Sequence, residues 1–342
     1  MGQRRSIRRQ AGFLLWHGAE NLRHVRGDRR FLVVRDSRHH LIYDVVLNWL
    51  ALHFPDIRAM FELHTLPCRP IRWSRYALHL PWLPDPVQEW SPSAYQQANR
   101  LARRCDQQRV PIVNRVDHLP NAGKSRAAEL VAATGIRTPR MARIENFEEF
   151  RETRLGIPLP LFVREDWGHG GRLIRADSDA EVRALPVHEF TRPVAVELVD
   201  VQSDDGLFRK YRYVVCGARG IRQSIHVSQD WCVRGSPEYA IFTEALRDEE
   251  IDFTERSEPD HTRFIDARDA LGLDFVAFDY SLDPRGELVM WEANPLPALH
   301  FSVGRRRYRS IPTTRVLAAM TELYLDRAGM TAPDSLTELV VT

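Results

Sequence analysis

A chain of 342 residues, 44% hydrophobic and 27% charged, has the composition of a globular protein large enough for two or three domains. A net charge of +2 gives no general pull toward nucleic acid, and four scattered cysteines without a CxxC pair argue against a zinc site and suit a reducing, cytoplasmic setting. The longest apolar run, 41–54, is interrupted by Asp44, Asn48 and His53 and is too short and polar to span a bilayer.

Residues 1–27 form a basic lead-in with Arg4, Arg5, Arg8 and Arg9 close together; its apolar stretch is too short for a secretory signal. A solvated terminus is the simpler reading and an anionic partner the other. Residues 30–36 read as a buried strand. Residues 39–54 read as a helix with Leu41, Val45, Trp49 and Leu52 near one face, and 57–66 as a second strand. This β-α-β order predicts a parallel sheet in a domain spanning 28–115. Residues 67–92 contain six prolines and read as an ordered extended loop, with Trp73, Tyr76, Trp82 and Trp90 as packing residues. Residues 93–108 follow as a helix and 110–114 as a short strand.

Residues 124–134 have helical spacing and stop at Gly135 and Pro139. Residues 159–164 form a strand that runs into Asp166-Trp167-Gly168-His169-Gly170-Gly171 and returns through 172–175. Such a glycine tip is either a plain turn or a lid whose amides fold over phosphate oxygens. Residues 194–199 are a strand with Glu197 among apolar neighbours. Residues 211–215 and 220–227 are strands bearing Arg212 and Arg222. Residues 237–248 and 259–271 read as helices, 313–327 as a closing helix, and 334 onward as loose.

The stretch 273–298 reads as two strands joined at Asp283-Pro284-Arg285-Gly286. If Leu282 sits opposite Glu287, Asp279 falls opposite Met290 and one diagonal step from Glu292. Met290, Glu292 and Asn294 then share a face. Two like charges about 4 Å apart repel by roughly 4 kcal/mol at an effective dielectric near 20. A divalent cation reverses that sign, and hard oxygen donors suit Mg²⁺. For the pair taken alone, a solvated surface hairpin is the commoner case.

In this order the pieces resemble the ATP-grasp superfamily, in particular the RimK-type carboxylate–amine ligases, with glutathione synthetases and graspetide macrocyclases as more distant relatives. The resemblance runs from about residue 114 to 325 and is carried by NAGKSRAAELVAATGIRTP, PLFVREDWGHGG, AVELV, KYRYVVCG and GLDFVAFDY…VMWEANPLPA. The last is the most specific. The resemblance implies an α/β (α+β) chain with the ATP-grasp fold over 116–330 and an N-terminal α/β pre-ATP-grasp domain over 28–115. It also implies a lid subdomain at about 139–198, a metal-bearing subdomain at about 199–330 and a loose tail from 331.

By the same resemblance, Lys124 and Arg164 contact phosphate, and Gly168, His169, Gly170 and Gly171 form the lid. Glu197, Leu198 and Val199 hold the adenine, with Glu197 contacting the nucleotide, and Lys210 takes the ribose-side place. Arg212 and Arg222 are the catalytic cations. Asp279, Glu292 and Asn294 are the ligands of Mg²⁺, with Mn²⁺ as a substitute. Three positions depart from the family pattern: Arg164 replaces a lysine, Lys210 an acid and Ala298 a glycine.

The implied function is an ATP-dependent, ADP-forming ligase that joins a carboxylate to an amine through an acyl phosphate, with an amino acid or peptide as acceptor. The alternatives are an ATP-grasp-type kinase and a non-catalytic ATP-binding member. Arg305, Arg306, Arg307 and Arg309 are open between receiving an anionic acceptor and forming a solvated loop. No membrane partner is expected, nucleic acid is not favoured, and a homodimer is left open.

Overall fold

Phe31, Leu32, Val33 and Val34 are all fully buried in the strand Arg30–Arg35. A run without polar alternation needs cover on both faces, which the middle of a parallel sheet provides. The computed structural model, which describes residues 15–39, 41–168, 171–233 and 241–341, places it there. This strand, β1, lies between β2 (Phe61–Thr65) and β3 (Tyr76–Trp82), both parallel to it.

The chain divides into two compact units. The first comprises Met1–Pro120, Leu273–Phe275 and Pro295–Thr342 and contains this sheet. Phe31 packs on Phe61 with ring centroids 5.1 Å apart, and Tyr324 of the helix Ser310–Arg327 packs on Phe61 from 6.2 Å. Asn114 ties the returning segments in. Its side-chain oxygen accepts from the Asp274 and Phe275 amides, and its NH₂ donates to the Phe275 and Pro295 carbonyls.

Several expectations for this unit need correction. The stretch 67–92 is not all loop, because β3 lies inside it. Pro81, opposite Val34, is tolerated since β3 is at the edge of the sheet. The helix expected from residue 39 starts at Asp44, because Tyr43 before it is left-handed at φ 59°. The strand expected from residue 57 begins at Phe61, since Pro55 opens a helical turn, Pro55–Arg58. Over 110–114 the strand expected is reduced to an isolated bridge from Ile112 to His79. Residues Asp334–Val341, expected to be loose, form a helix anchored by fully buried Leu336.

His79 on β3 is 1% exposed, with Nδ1 2.8 Å from the Leu32 carbonyl. Burial pushes its pKa down to about 4. The unfolded chain therefore takes up a proton near pH 6.5 that the native state refuses until about pH 4. Stability falls as the pH drops through that window, at about 1.4 kcal/mol per pH unit from this one group. Urea denaturation at pH 6.5 and 5 should show that slope in the native chain and its flattening in His79→Leu; an unchanged slope in the variant would refute the assignment.

The second unit, Asn121–Gly272 with Val276–Asn294, holds two four-stranded sheets. One has β4 (Met141–Arg143), β5 (Leu161–Glu165), β6 (Ile174–Ala176) and β7 (Pro193–Glu197) in the order β4-β7-β5-β6. Leu161, Val163 and Ala195 pack with Phe150 and Val182 of two short helices on one side. Phe162, Val194 and Val196 form a separate apolar face with Met141, Leu173, Leu198 and Trp231.

The other sheet has β8 (Phe208–Cys216), β9 (Arg219–Ser228), β10 (Phe275–Leu282) and β11 (Leu288–Asn294) in the order β11-β10-β8-β9. The helices Glu244–Glu255 and His261–Ala270 cover one face of it. Phe253 meets Ile225 and Val227, and Phe264 meets Tyr213, Phe278 and Tyr280. The sequence predicts the first of these helices over 237–248. It starts instead after Thr243, whose hydroxyl caps the Leu246 amide, and 234–240 lie outside the described residues. Gly220 is required where it stands: a Cβ there would come 1.7 Å from the Tyr213 hydroxyl, which is bonded to His261 Nδ1. Among the described residues no helix is long and apolar enough to cross a membrane.

Candidate active site

With helices on one face of the β8–β11 sheet, side chains of opposite parity form the other face. The β10–β11 hairpin differs from the expected register. Leu282 pairs with Leu288, Tyr280 with Met290, and Asp279 directly with Glu292. The ladder skips Trp291, so the strand bulges there. The bulge turns Trp291 toward the face of Ser281: its indole N–H donates to Ser281 Oγ at 2.8 Å. Alternation along β10 puts Ala277, Asp279 and Ser281 on that face, and Asn294 lies opposite Ala277. Asp279, Glu292 and Asn294 are thus neighbours, and the extra residue at Trp291 replaces the expected diagonal step with a direct pair.

The two carboxylates are not left to repel. On β8, Arg212 forks Asp279, with Nε 2.7 Å from Oδ1 and Nη2 3.0 Å from Oδ2. Lys210 Nζ reaches Oδ2 at 3.1 Å. Lys124 Nζ, from the start of the helix Lys124–Ala132, stands 3.2 Å from Glu292 Oε1. Asp279 is 2% exposed, Asn294 4% and Lys124 5%. Burial alone would raise the Asp279 carboxyl, but the Arg212 and Lys210 charges outweigh it and hold it below the ordinary carboxylate range. Burial likewise opposes the Arg212 charge, and Asp279 outweighs that, pushing the guanidinium up.

Other expected residues fall as follows. Arg164 follows Phe162 by two positions on β5 and so lies on its face. Gly168 is left-handed at φ +75°, Gly171 is exposed, and His169 and Gly170 lie outside the described residues. Glu197 is expected on the nucleotide, yet its carboxylate accepts from the Arg140 amide at 3.0 Å. Backbone groups of Glu197 to Val199 are expected to read the base edge; of these, the Glu197 and Leu198 amides donate to the Arg140 and Pro160 carbonyls. Lys210, given the ribose-side place, instead meets Asp279. Arg222, expected beside Arg212, lies on the helix-covered face, paired with Glu258 at 3.0 Å and 4.8 Å from the Phe253 ring centre. The reason is a second bulge: Arg222 is opposite Tyr213, whose side chain points away from that of Arg212. Arg305, Arg306, Arg307 and Arg309 sit in the turn Gly304–Arg309 of the first unit.

Three contributors have no signature in the sequence. Trp291 and Ser281 buttress the bulge, and Asp166, expected only as part of the lid, binds the start of the Lys124 helix. No local signal announces any of them, because all depend on partners brought together by the fold.

No protein-family model matches this sequence, and no curated protein matches it at a significant level. Solved structures do match. The ATP-grasp ligase PsnB complexed with minimal precursor has a TM-score of 0.53 at 14% identity, covering 82% of this chain and 94% of that chain. The VanG D-Ala:D-Ser ligase from Enterococcus faecalis gives 0.52 at 15%, covering 86% and 99%. A RiPP-associated ATP-grasp ligase from Chryseobacterium gregarium gives 0.54 at 10%, covering 89% and 98%. This chain has the ATP-grasp fold.

On this ATP-grasp scaffold the donor chemistry of the β10–β11 face fits a hard divalent cation, with two carboxylates and a neutral amide oxygen. Among the described residues no three His, Cys, Asp or Glu side chains gather as a metal cluster. Asp279, Glu292 and Asn294 could hold such an ion, with water or phosphate oxygens as its other donors, as is common for Mg²⁺.

Proposed function

We propose that this chain is an ATP-dependent, ADP-forming carboxylate–amine ligase of the RimK type. One observation carries the reading: Lys124, Lys210 and Arg212 surround Asp279 and Glu292 beside Asn294 on one sheet face of an ATP-grasp fold. Cations there outnumber carboxylates before Arg164 is added, which suits a polyanionic triphosphate. The apolar face of Phe162, Val196, Leu198 and Trp231 suits a purine ring.

A carboxylate does not react with an amine at neutral pH, because its carbon is electron-rich and its leaving group poor. In the proposed reaction a substrate carboxylate oxygen attacks the γ-phosphorus of ATP, and ADP departs. The amine nitrogen then attacks the acyl carbon, loses a proton and expels phosphate. The chain's share is positioning and charge neutralisation. Lys124 and Arg164 neutralise phosphate oxygens. Arg212 stabilises charge developing at the transferring group and on the tetrahedral oxygen. Asp279, Glu292 and Asn294 would hold Mg²⁺, which would supply charge neutralisation for the triphosphate.

PsnB is complexed with a precursor and the Chryseobacterium enzyme with a leader and core peptide. A peptide or amino acid acceptor is the corresponding expectation for this chain. The test is incubation with ATP, Mg²⁺ and pooled amino acids and peptides, with hydroxylamine as a trap. A ligase releases ADP and yields hydroxamates and products heavier by an acyl unit. Phosphorylated products without hydroxamate would establish a kinase instead, and ATP binding without ADP release a non-catalytic member.

A further inference from the structure

The helix Lys124–Ala132 begins without a cap of its own. Its N-cap is Gly123, which makes no side-chain cap bond. The first N–H groups of any helix need acceptors from outside it. Here Asp166, the residue after β5, supplies them. The Lys124 amide donates to the Asp166 carbonyl at 3.1 Å. The Ser125 amide donates to Oδ1 and the Ser125 hydroxyl to Oδ2, each at 2.8 Å. Arg143 Nε donates to the same Oδ2 at 2.9 Å. Asp166 is 4% exposed, so water does not readily replace these bonds, and its own amide is anchored on the Arg192 carbonyl.

We propose that Asp166 is a positioning residue that sets where Lys124 stands, by capping its helix from a distant strand. The inference rests on the reading of Lys124 as a phosphate-binding residue. Lys124 is the first residue of the helix, so fraying of the first turn displaces it before any other. Its ammonium is held 3.2 Å from Glu292 Oε1, and that placement needs the turn intact. Asp166 also follows Arg164 by two residues on a continuous backbone. One carboxylate therefore pins together the segments that carry both basic groups assigned to phosphate.

The experiment measures the affinity of the full chain for MgATP and for adenosine in the native protein, Asp166→Ala, Asp166→Asn, Lys124→Ala and the Asp166→Ala/Lys124→Ala double variant. Thermal midpoints are recorded for each. Asp166→Ala is expected to weaken MgATP by about tenfold, the size of a lost cap, and to leave adenosine binding unchanged. Asp166→Asn, which keeps one acceptor oxygen, should fall between. The double variant should bind MgATP no worse than Lys124→Ala, because the effect passes through the lysine. Equal losses for MgATP and adenosine would show general loosening and overturn the proposal, as would full additivity in the double variant. Native binding of MgATP with unchanged affinity in Asp166→Ala overturns the proposal alone. No MgATP binding by the native chain overturns the functional reading and the proposal with it.

Discussion

Glu292→Ala is expected to lower ATP turnover by about a hundredfold or more, the usual loss when a main electrostatic stabiliser is removed. Two effects add in this variant. An oxygen donor directly opposite Asp279 disappears, and Lys124, whose side chain is 4% exposed, loses the carboxylate 3.2 Å away. The Lys124 ammonium then competes for whatever anion remains. Single-turnover measurement of ADP release, with Mg²⁺ varied, checks this. The expected pattern is a large drop in rate and a higher Mg²⁺ requirement, with a lower thermal midpoint because the buried Lys124 ammonium loses its partner. Turnover near the native rate would overturn the proposed role of Glu292 as a metal ligand.

Asp279→Ala is expected to cost about 3–5 kcal/mol of stability as well as activity, the range seen when one partner of a buried ion pair is removed. The Asp279 side chain is 3% exposed, and it answers the Arg212 fork and the Lys210 ammonium together. Removing it leaves both cations facing each other with little water to screen them. Asp279→Asn keeps the shape and one acceptor, so it should cost less stability while still losing activity. Urea denaturation of the three proteins separates the cases; a shift below 1 kcal/mol for Asp279→Ala would mean that the cations are solvated. The acid side follows from the same pair. Because the native carboxyl is held low, the stability it contributes is fully present above the unfolded carboxylate pKa near 4. It is lost only as the pH falls further, through the depressed native value.

The β10–β11 hairpin shows how much of the site is legible in the chain. The strands Phe275–Leu282 and Leu288–Asn294 and the turn between them follow from alternating apolar residues and from Asp283-Pro284-Arg285-Gly286. Their register does not follow, because skipping Trp291 is decided by what the bulge gains across the ladder, including the indole bond to Ser281. Arg222 makes the same point. Ser224 pairs with Arg212, so an unbroken ladder would put Arg222, two residues away, on the Arg212 face; a bulge opposite Tyr213 reverses it. Pro81 misleads in the opposite direction. Proline is a poor strand residue until the strand proves to be at an edge, and edge position is a property of the sheet.

Residue types and local periods are thus determined by the sequence itself: the parallel β1–β2 pair, the lysine at a helix start, the acidic hairpin and the ATP-grasp order of elements. These follow from residue type, local period and the order of elements, all of which can be read along the chain. The tertiary structure decides which face each charge occupies, which cation answers which carboxylate, and that Asp166 caps a helix beginning 42 positions earlier in the chain. Those outcomes rest on pairing between distant segments. A single skipped residue in a ladder inverts every side chain beyond it, and no local pattern records the skip.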